Sequence, residues 1–90
     1  MFKKLDNNTV QSSEGYLVAT LSIWKARYSD SDKEAIVQIE GGRDESGNLE
    51  WSIYSRTLSG NRFLSKSEAR EILNRISHGL TFLGMPNQVV

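Results

Sequence analysis

Cysteine is absent from this 90-residue chain, and proline and histidine occur once each, as Pro86 and His78. Without cysteine there are no disulfides and no thiolate metal sites, so apolar packing has to supply nearly all of the stabilisation. Such a chain suits a reducing compartment, and a cytoplasmic location is the expectation. No apolar run approaches the roughly 18 residues of a membrane helix. The opening Met-Phe-Lys-Lys-Leu-Asp-Asn-Asn turns polar before the apolar stretch of about 7 to 15 residues that a secretory signal needs, so neither membrane nor leader is expected.

The shortage of histidine and cysteine also narrows the chemistry. No Cys/His or Ser/His/Asp set is specified, and a zinc site would need three carboxylates around His78. His78 itself falls in or near the last turn of a predicted helix, where the helix C-terminus favours a cation, and it reads as structural. Asp30, Asp32 and Glu34 alternate as calcium ligands do, but Ala35 stands where the calcium loop needs glycine and no glutamate closes it. Gly41-Gly42 is followed by neither Gly-Lys-Ser/Thr nor a helix start, so it is not a phosphate loop. The chain therefore reads as non-enzymatic, with no cofactor and no metal.

Eleven basic and eleven acidic side chains cancel, yet they are segregated. Residues 1–27 carry +2, residues 28–55 carry −5 and residues 56–90 carry +3. The acidic middle includes Asp44, Glu45 and Glu50 around a Ser46-Gly47-Asn48 turn. It is either a solvated hairpin end or a surface that steers a basic partner.

The apolar pattern indicates a single α+β domain over 1–90. Leu17, Ala19, Leu21 and Ile23 form one row of a strand predicted over Gly15–Tyr28, with Tyr16, Thr20, Ser22 and Trp24 in the other. A second strand is predicted over Glu34–Glu40, with Ala35, Val37 and Ile39 inward and Gly41-Gly42 ending or bulging it. A third runs over Leu49–Leu58, with Leu49, Trp51 and Ile53 opposite Ser52, Tyr54 and Arg56. A short strand near Thr9–Gln11, within an otherwise unassigned segment 1–14, is an optional fourth.

Ser65 and Glu68 match the capping box that opens a helix. Ala69, Ile72, Leu73, Ile76, Leu80 and Leu83 then recur at three and four residues. Gly79 either ends this helix or is carried through it to Gly84, and the helical phase of Leu80 and Leu83 favours the longer version. The expected architecture is an antiparallel three- to four-stranded meander with one C-terminal amphipathic helix packed on one face. On layout alone it is similar to single-stranded DNA-binding folds of the transcriptional-coactivator type, which would imply that ligand; no motif accompanies the likeness.

One helix cannot cover both faces of a sheet, and the uncovered face is expected to display Trp24, Tyr54, Tyr16, Tyr28 and Arg56. Rings mixed with arginine are the composition of contact hot spots. The predicted function is a small protein-binding adaptor or inhibitor acting through these residues or through the acidic surface of Asp44, Glu45 and Glu50, on a target that itself handles nucleic acid. Two other readings remain: weak binding of single-stranded nucleic acid by the same rings with Arg27, Arg56 and Arg62, which zero net charge disfavours, and a homodimer through the open face.

Overall fold

The computed structural model describes residues 1–90. It is an α+β fold, but the sheet has seven strands rather than three or four, and it is mixed rather than wholly antiparallel. The strands are β1 (Phe2–Asp6), β2 (Thr9–Ser12), β3 (Leu17–Ser22), β4 (Lys25–Ser29), β5 (Glu34–Arg43), β6 (Leu49–Gly60) and β7 (Asn87–Val89), with the single helix α1 (Lys66–Phe82) between β6 and β7. They lie side by side in chain order, β1 through β6 antiparallel and β7 parallel to β6. The sheet curls into a half-barrel, and α1 packs into it against β2, β3, β4, β6 and β7.

Three features account for the difference from the expected meander. The segment Gly15–Tyr28 contains a tight reversal at Ser22–Trp24, where Ser22 Oγ accepts a hydrogen bond from the Trp24 amide at 3.1 Å. That turn holds neither glycine nor proline, so the stretch reads as one strand. The polar N-terminal segment forms a complete hairpin, with Phe2 paired to Ser12 and Lys4 to Val10. After α1 the chain returns to the sheet as β7, a parallel addition that the turn-rich meander gave no reason to expect.

The reversal also upsets the predicted facing of β3, although Ala19 is buried as expected. Val18 and Tyr28, paired across β3 and β4, are both fully buried under the helix, whereas Leu21 and Ile23 are 49% and 72% exposed. A bulge between Thr20 and Ser22 ends the regular ladder there. In β5 and β6 the predicted phase holds: Ala35, Val37, Ile39 and Ile53 are buried, and Trp51 is partly buried against the same core. Gly41 and Gly42 neither end nor bulge β5; they lie within it, opposite Trp51 and Glu50.

The helix begins where its caps require. Ser65 Oγ accepts from the Glu68 amide at 3.2 Å and Glu68 Oε1 accepts from the Ser65 amide at 3.1 Å, the reciprocal capping box. Ile72, Ile76 and Leu80 are fully buried and close the core over Val10, Val18, Val37, Ile39 and Ile53. Gly79 does not end the helix. It lies inside it at the closest approach to the sheet, where a Cβ would stand 2.6 Å from Val18 Cβ. The end comes at Gly84, whose φ of 84° suits glycine. The Gly84 amide bonds to the Thr81 carbonyl and the Met85 amide to the Leu80 carbonyl, the paired closure of a Schellman motif. His78 is therefore exposed about one turn short of the helix end, not in its last turn. Asn87 then ties β7 to the helix, donating to the carbonyls of Ser77 and Met85 and accepting from Ser77 Oγ at 2.6 Å.

No helix is long and apolar enough to cross a membrane.

Candidate functional site

The five binding residues predicted together are separated by the sheet. Tyr16 and Tyr28 do not lie on an open face: they are 3% and 0% exposed, on the helix side. Their rings pack at a tilt of 36° with centroids 5.5 Å apart, and Phe2 meets Tyr16 edge-on at 5.9 Å. The Arg75 guanidinium, carried on α1, lies 4.6 Å over the Tyr16 ring and donates to the Tyr28 hydroxyl at 2.7 Å. That hydroxyl in turn donates to Asp30 Oδ2 at 2.6 Å.

The cluster ties α1 to β4 through the chain Arg75–Tyr28–Asp30. Burial, joined by the hydrogen bond to Asp30, pushes the Tyr28 phenol up to about 12. Burial also acts to raise Asp30, but bonds from the Tyr28 hydroxyl and the amides of Asp32 and Lys33 outweigh it and hold the carboxyl at about 2. General acid–base work at neutral pH needs groups poised near neutrality, and these are driven away from it in opposite directions. Asp30 thus organises the β4–β5 turn instead of a calcium loop, and nowhere do three or more His, Asp or Glu side chains gather as metal ligands.

Trp24, Tyr54 and Arg56 do share the face turned away from the helix. Two cross-strand rows define it. Lys25, Gln38 and Tyr54 pair in succession across β4, β5 and β6, and Arg27, Ile36 and Ser59 form the next row. Three open, shallow depressions adjoin along these rows. The first, of about 490 Å³, has Arg27, Ile36 and Ser59 in its lining; the second, of about 390 Å³, has Trp24, Ile36, Gln38 and Thr57; the third, of about 510 Å³, has Gln38, Tyr54, Arg56 and Thr57. Shared walls make them one continuous trough. Trp24 is 52% exposed and Ile36 40%, so the trough presents apolar surface bordered by Lys25, Arg27 and Arg56. The Tyr54 hydroxyl donates to Glu40 Oε1 at 2.6 Å, which raises its pKa and holds the ring across the sheet.

The trough is shaped by an irregularity in β6. Between the pairs Ile36–Ser59 and Gln38–Tyr54, β5 advances two residues while β6 advances five. The three extra residues leave the ladder, and a side chain takes the place of backbone: Thr57 Oγ1 accepts from the Gln38 amide at 2.8 Å and donates to the Tyr54 carbonyl at 2.7 Å. Arg56 stands exposed at the crest. Because the offset is odd, the facing of β6 changes phase, and both Ile53 and Leu58 reach the core. Bulges of this kind re-aim side chains and concentrate next to functional sites.

Sequence reasoning placed Trp24, Tyr54 and Arg56 on this face but missed Ile36 and Thr57. Ile36 carried a signal, as an apolar residue in the outward row of β5; Thr57 carried none, since nothing local marks a hydroxyl that will enter a ladder. Arg62, grouped with Arg27 and Arg56 as a nucleic-acid contact, is committed elsewhere, to Glu68 at 2.8 Å and Asp32 at 3.1 Å. Asp44, Glu45 and Glu50 lie at the β5–β6 turn, away from the trough, where Asp44 Oδ1 accepts from the Ser46 and Asn48 amides. No protein-family model, curated protein or solved structure matches this chain.

Proposed function

We propose that this protein is a protein-binding adaptor or inhibitor whose contact surface is the trough across β4, β5 and β6. The observation that supports this reading most directly is the continuity of Trp24, Ile36, Tyr54 and Arg56 on a sheet face with no element packed over it. Tryptophan, tyrosine and arginine dominate interface energetics, and the bulge presents the arginine beside the rings. Two free arginines and a lysine are few for phosphate neutralisation, and Glu34 and Glu40 share the face, which favours a protein over a nucleic-acid strand. A target that handles nucleic acid and a cytoplasmic setting remain part of this reading.

The deciding experiment is affinity capture by the full chain from its native cell, with and without nuclease, repeated with Trp24→Ala and Tyr54→Ala. A nuclease-resistant partner that loses at least about 2 kcal/mol of binding, roughly thirtyfold, in either variant supports the proposal. Normal binding by both variants, with melting unchanged, would falsify it. Capture that disappears on nuclease treatment would instead favour single-stranded nucleic acid, and a mass that doubles with concentration would favour a homodimer.

A further inference from the structure

Charge is unevenly placed along the outer trough. Its middle depression shares Ile36 and Ser59 with one neighbour and Gln38 and Thr57 with the other, and it holds both exposed apolar side chains, Trp24 and Ile36. Lys25 is the only charged residue in the lining of this middle part. Arg27 lines the depression on one side of it, and Arg56 the depression on the other. Lys25 and Arg27 rise from β4 and Arg56 from the crest of β6. The cations therefore stand on opposite walls, two strand spacings or about 10 Å apart, with β5 as the floor between them.

Nothing in the chain neutralises these cations. Of the six arginines, Arg43 is bonded to the Gly47 carbonyl, Arg62 to Asp32 and Glu68, and Arg75 to Glu71 and the Tyr28 hydroxyl. The side chains of Arg27, Arg56 and Lys25 take part in no ion pair and no hydrogen bond. Carboxylates line the trough only at its two ends, Glu34 in the depression with Arg27 and Glu40 in the depression with Arg56. Glu40 is already engaged by the Tyr54 hydroxyl at 2.6 Å. A polynucleotide is charged at every repeat and would carry phosphates past Glu34 or Glu40, whereas a peptide can hold its carboxylates at the centre alone.

Resting on the reading of the trough as a protein-contact surface, we infer that its occupant is an acidic peptide segment with one large apolar anchor. The anchor sits on Trp24 and Ile36, and aspartate or glutamate to either side meets Lys25, Arg27 and Arg56. Guanidinium groups bind carboxylates through paired, charge-assisted hydrogen bonds, which suits arginine on both walls. The apolar contact supplies affinity, and the unpaired cations turn basic segments away.

The test is an NMR titration of the full chain with a capped peptide in which a central leucine has two glutamates on each side. Control peptides carry lysine for glutamate or alanine for leucine, and a short oligothymidylate forms a further arm. Shifts from the glutamate peptide should gather at the Trp24 indole N–H, Ile36, Gln38 and Thr57, and its affinity should fall as salt is raised. The alanine peptide should bind about tenfold more weakly, and the lysine peptide should give no shifts. Arg27→Glu with Arg56→Glu, both at exposed positions, should weaken the glutamate peptide by at least about tenfold with an unchanged melting temperature. Lys66→Glu with Arg70→Glu, on the exposed side of α1, makes the same change in net charge and should bind as wild type. The inference is overturned by equal affinity for glutamate and lysine peptides, by equal weakening in the α1 variant, by tighter binding of the oligothymidylate, by shifts confined to other surfaces, by no shifts at about millimolar peptide, or by sedimentation showing that a second copy occupies the trough. Equal binding of both charged peptides in the trough would still leave the protein-contact reading standing, whereas partner capture unaffected by Trp24→Ala and Tyr54→Ala removes that reading itself.

Discussion

Tyr16 and Tyr28 on one side of the sheet, and Trp24 and Tyr54 on the other, are aromatic residues that alternation alone assigned to a single row. The first pair is sealed beneath α1 with Arg75; the second lines an open trough. Both arrangements satisfy the rings, one by packing and one by leaving contact area free. The difference teaches that facing in a curled sheet is decided by reversals and bulges, which reset the phase of every residue beyond them.

Variants of the two sides sharpen this contrast. The largest loss is expected for Ile72→Ala, which empties a fully buried position and should cost about 2 to 5 kcal/mol in urea unfolding. The outer Ile36→Ala should stay within about 0.5 kcal/mol of wild type. Equal losses would mean that the trough is covered.

Tyr28→Phe removes the hydroxyl between Arg75 and Asp30 and should cost about 1.5 to 3 kcal/mol at neutral pH, as bonds to charged groups do. Its pH signature is sharper. The raised phenol pKa contributes stability that is complete below 10.0 and lost as pH climbs to about 12. The depressed Asp30 contributes stability present above 3.8 and lost as pH falls to about 2. Unfolding followed across both windows should show the alkaline loss missing from Tyr28→Phe and the acid loss reduced but kept by the Asp32 and Lys33 amides. Tyr54→Phe, on the open side, should leave the acid limb unchanged.

Gly79→Ala is expected to destabilise even though alanine is the better helix former. The clash with Val18, typically about 1 to 3 kcal/mol, should outweigh a propensity gain of about 1 kcal/mol, and the loss from Gly79→Ala should shrink in a Val18→Gly background, which removes the Cβ and both methyl groups it meets. Additive losses in the double variant would place the close approach elsewhere. Ser65→Ala should lower stability by about 1 kcal/mol through the cap without altering either face. The smallest effect belongs to Trp24→Ala, within about 0.5 kcal/mol of wild-type stability, so that any loss of partner binding there is attributable to contact.

How much of this was legible in the sequence depended on whether the signal was local. The helix start at Ser65, its buried stripe and the inward row of β5 follow from residue types a few positions apart, and they stand as read. The Ser22–Trp24 reversal was hidden because Leu21, Ile23 and Trp24 have strong strand propensity and no glycine or proline intervenes. With that turn unseen, the parity of Tyr16, Val18 and Tyr28 came out inverted. β1 and β7 are short and polar, and their places depend on distant partners: Asn87 is held by Ser77 and Thr81, which no local window contains. Of the candidate site, Trp24, Tyr54 and Arg56 were found together, although the true link between them is Thr57.

That threonine also gives the molecule a rule for growth. Between Tyr54 and Ser59 only Leu58 faces the core, while Ser55 is held by the Val90 carbonyl and Thr57 by Gln38 and Tyr54, which leaves Arg56 as the position where the crest can change length. Only parity is constrained. A change of two residues would leave Leu58 turned toward the helix, whereas a change of one would rotate it into solvent and bring Ser59 into its place. The wall of the trough can therefore change in steps of two at Arg56 while Ile53 and Leu58 keep their facing.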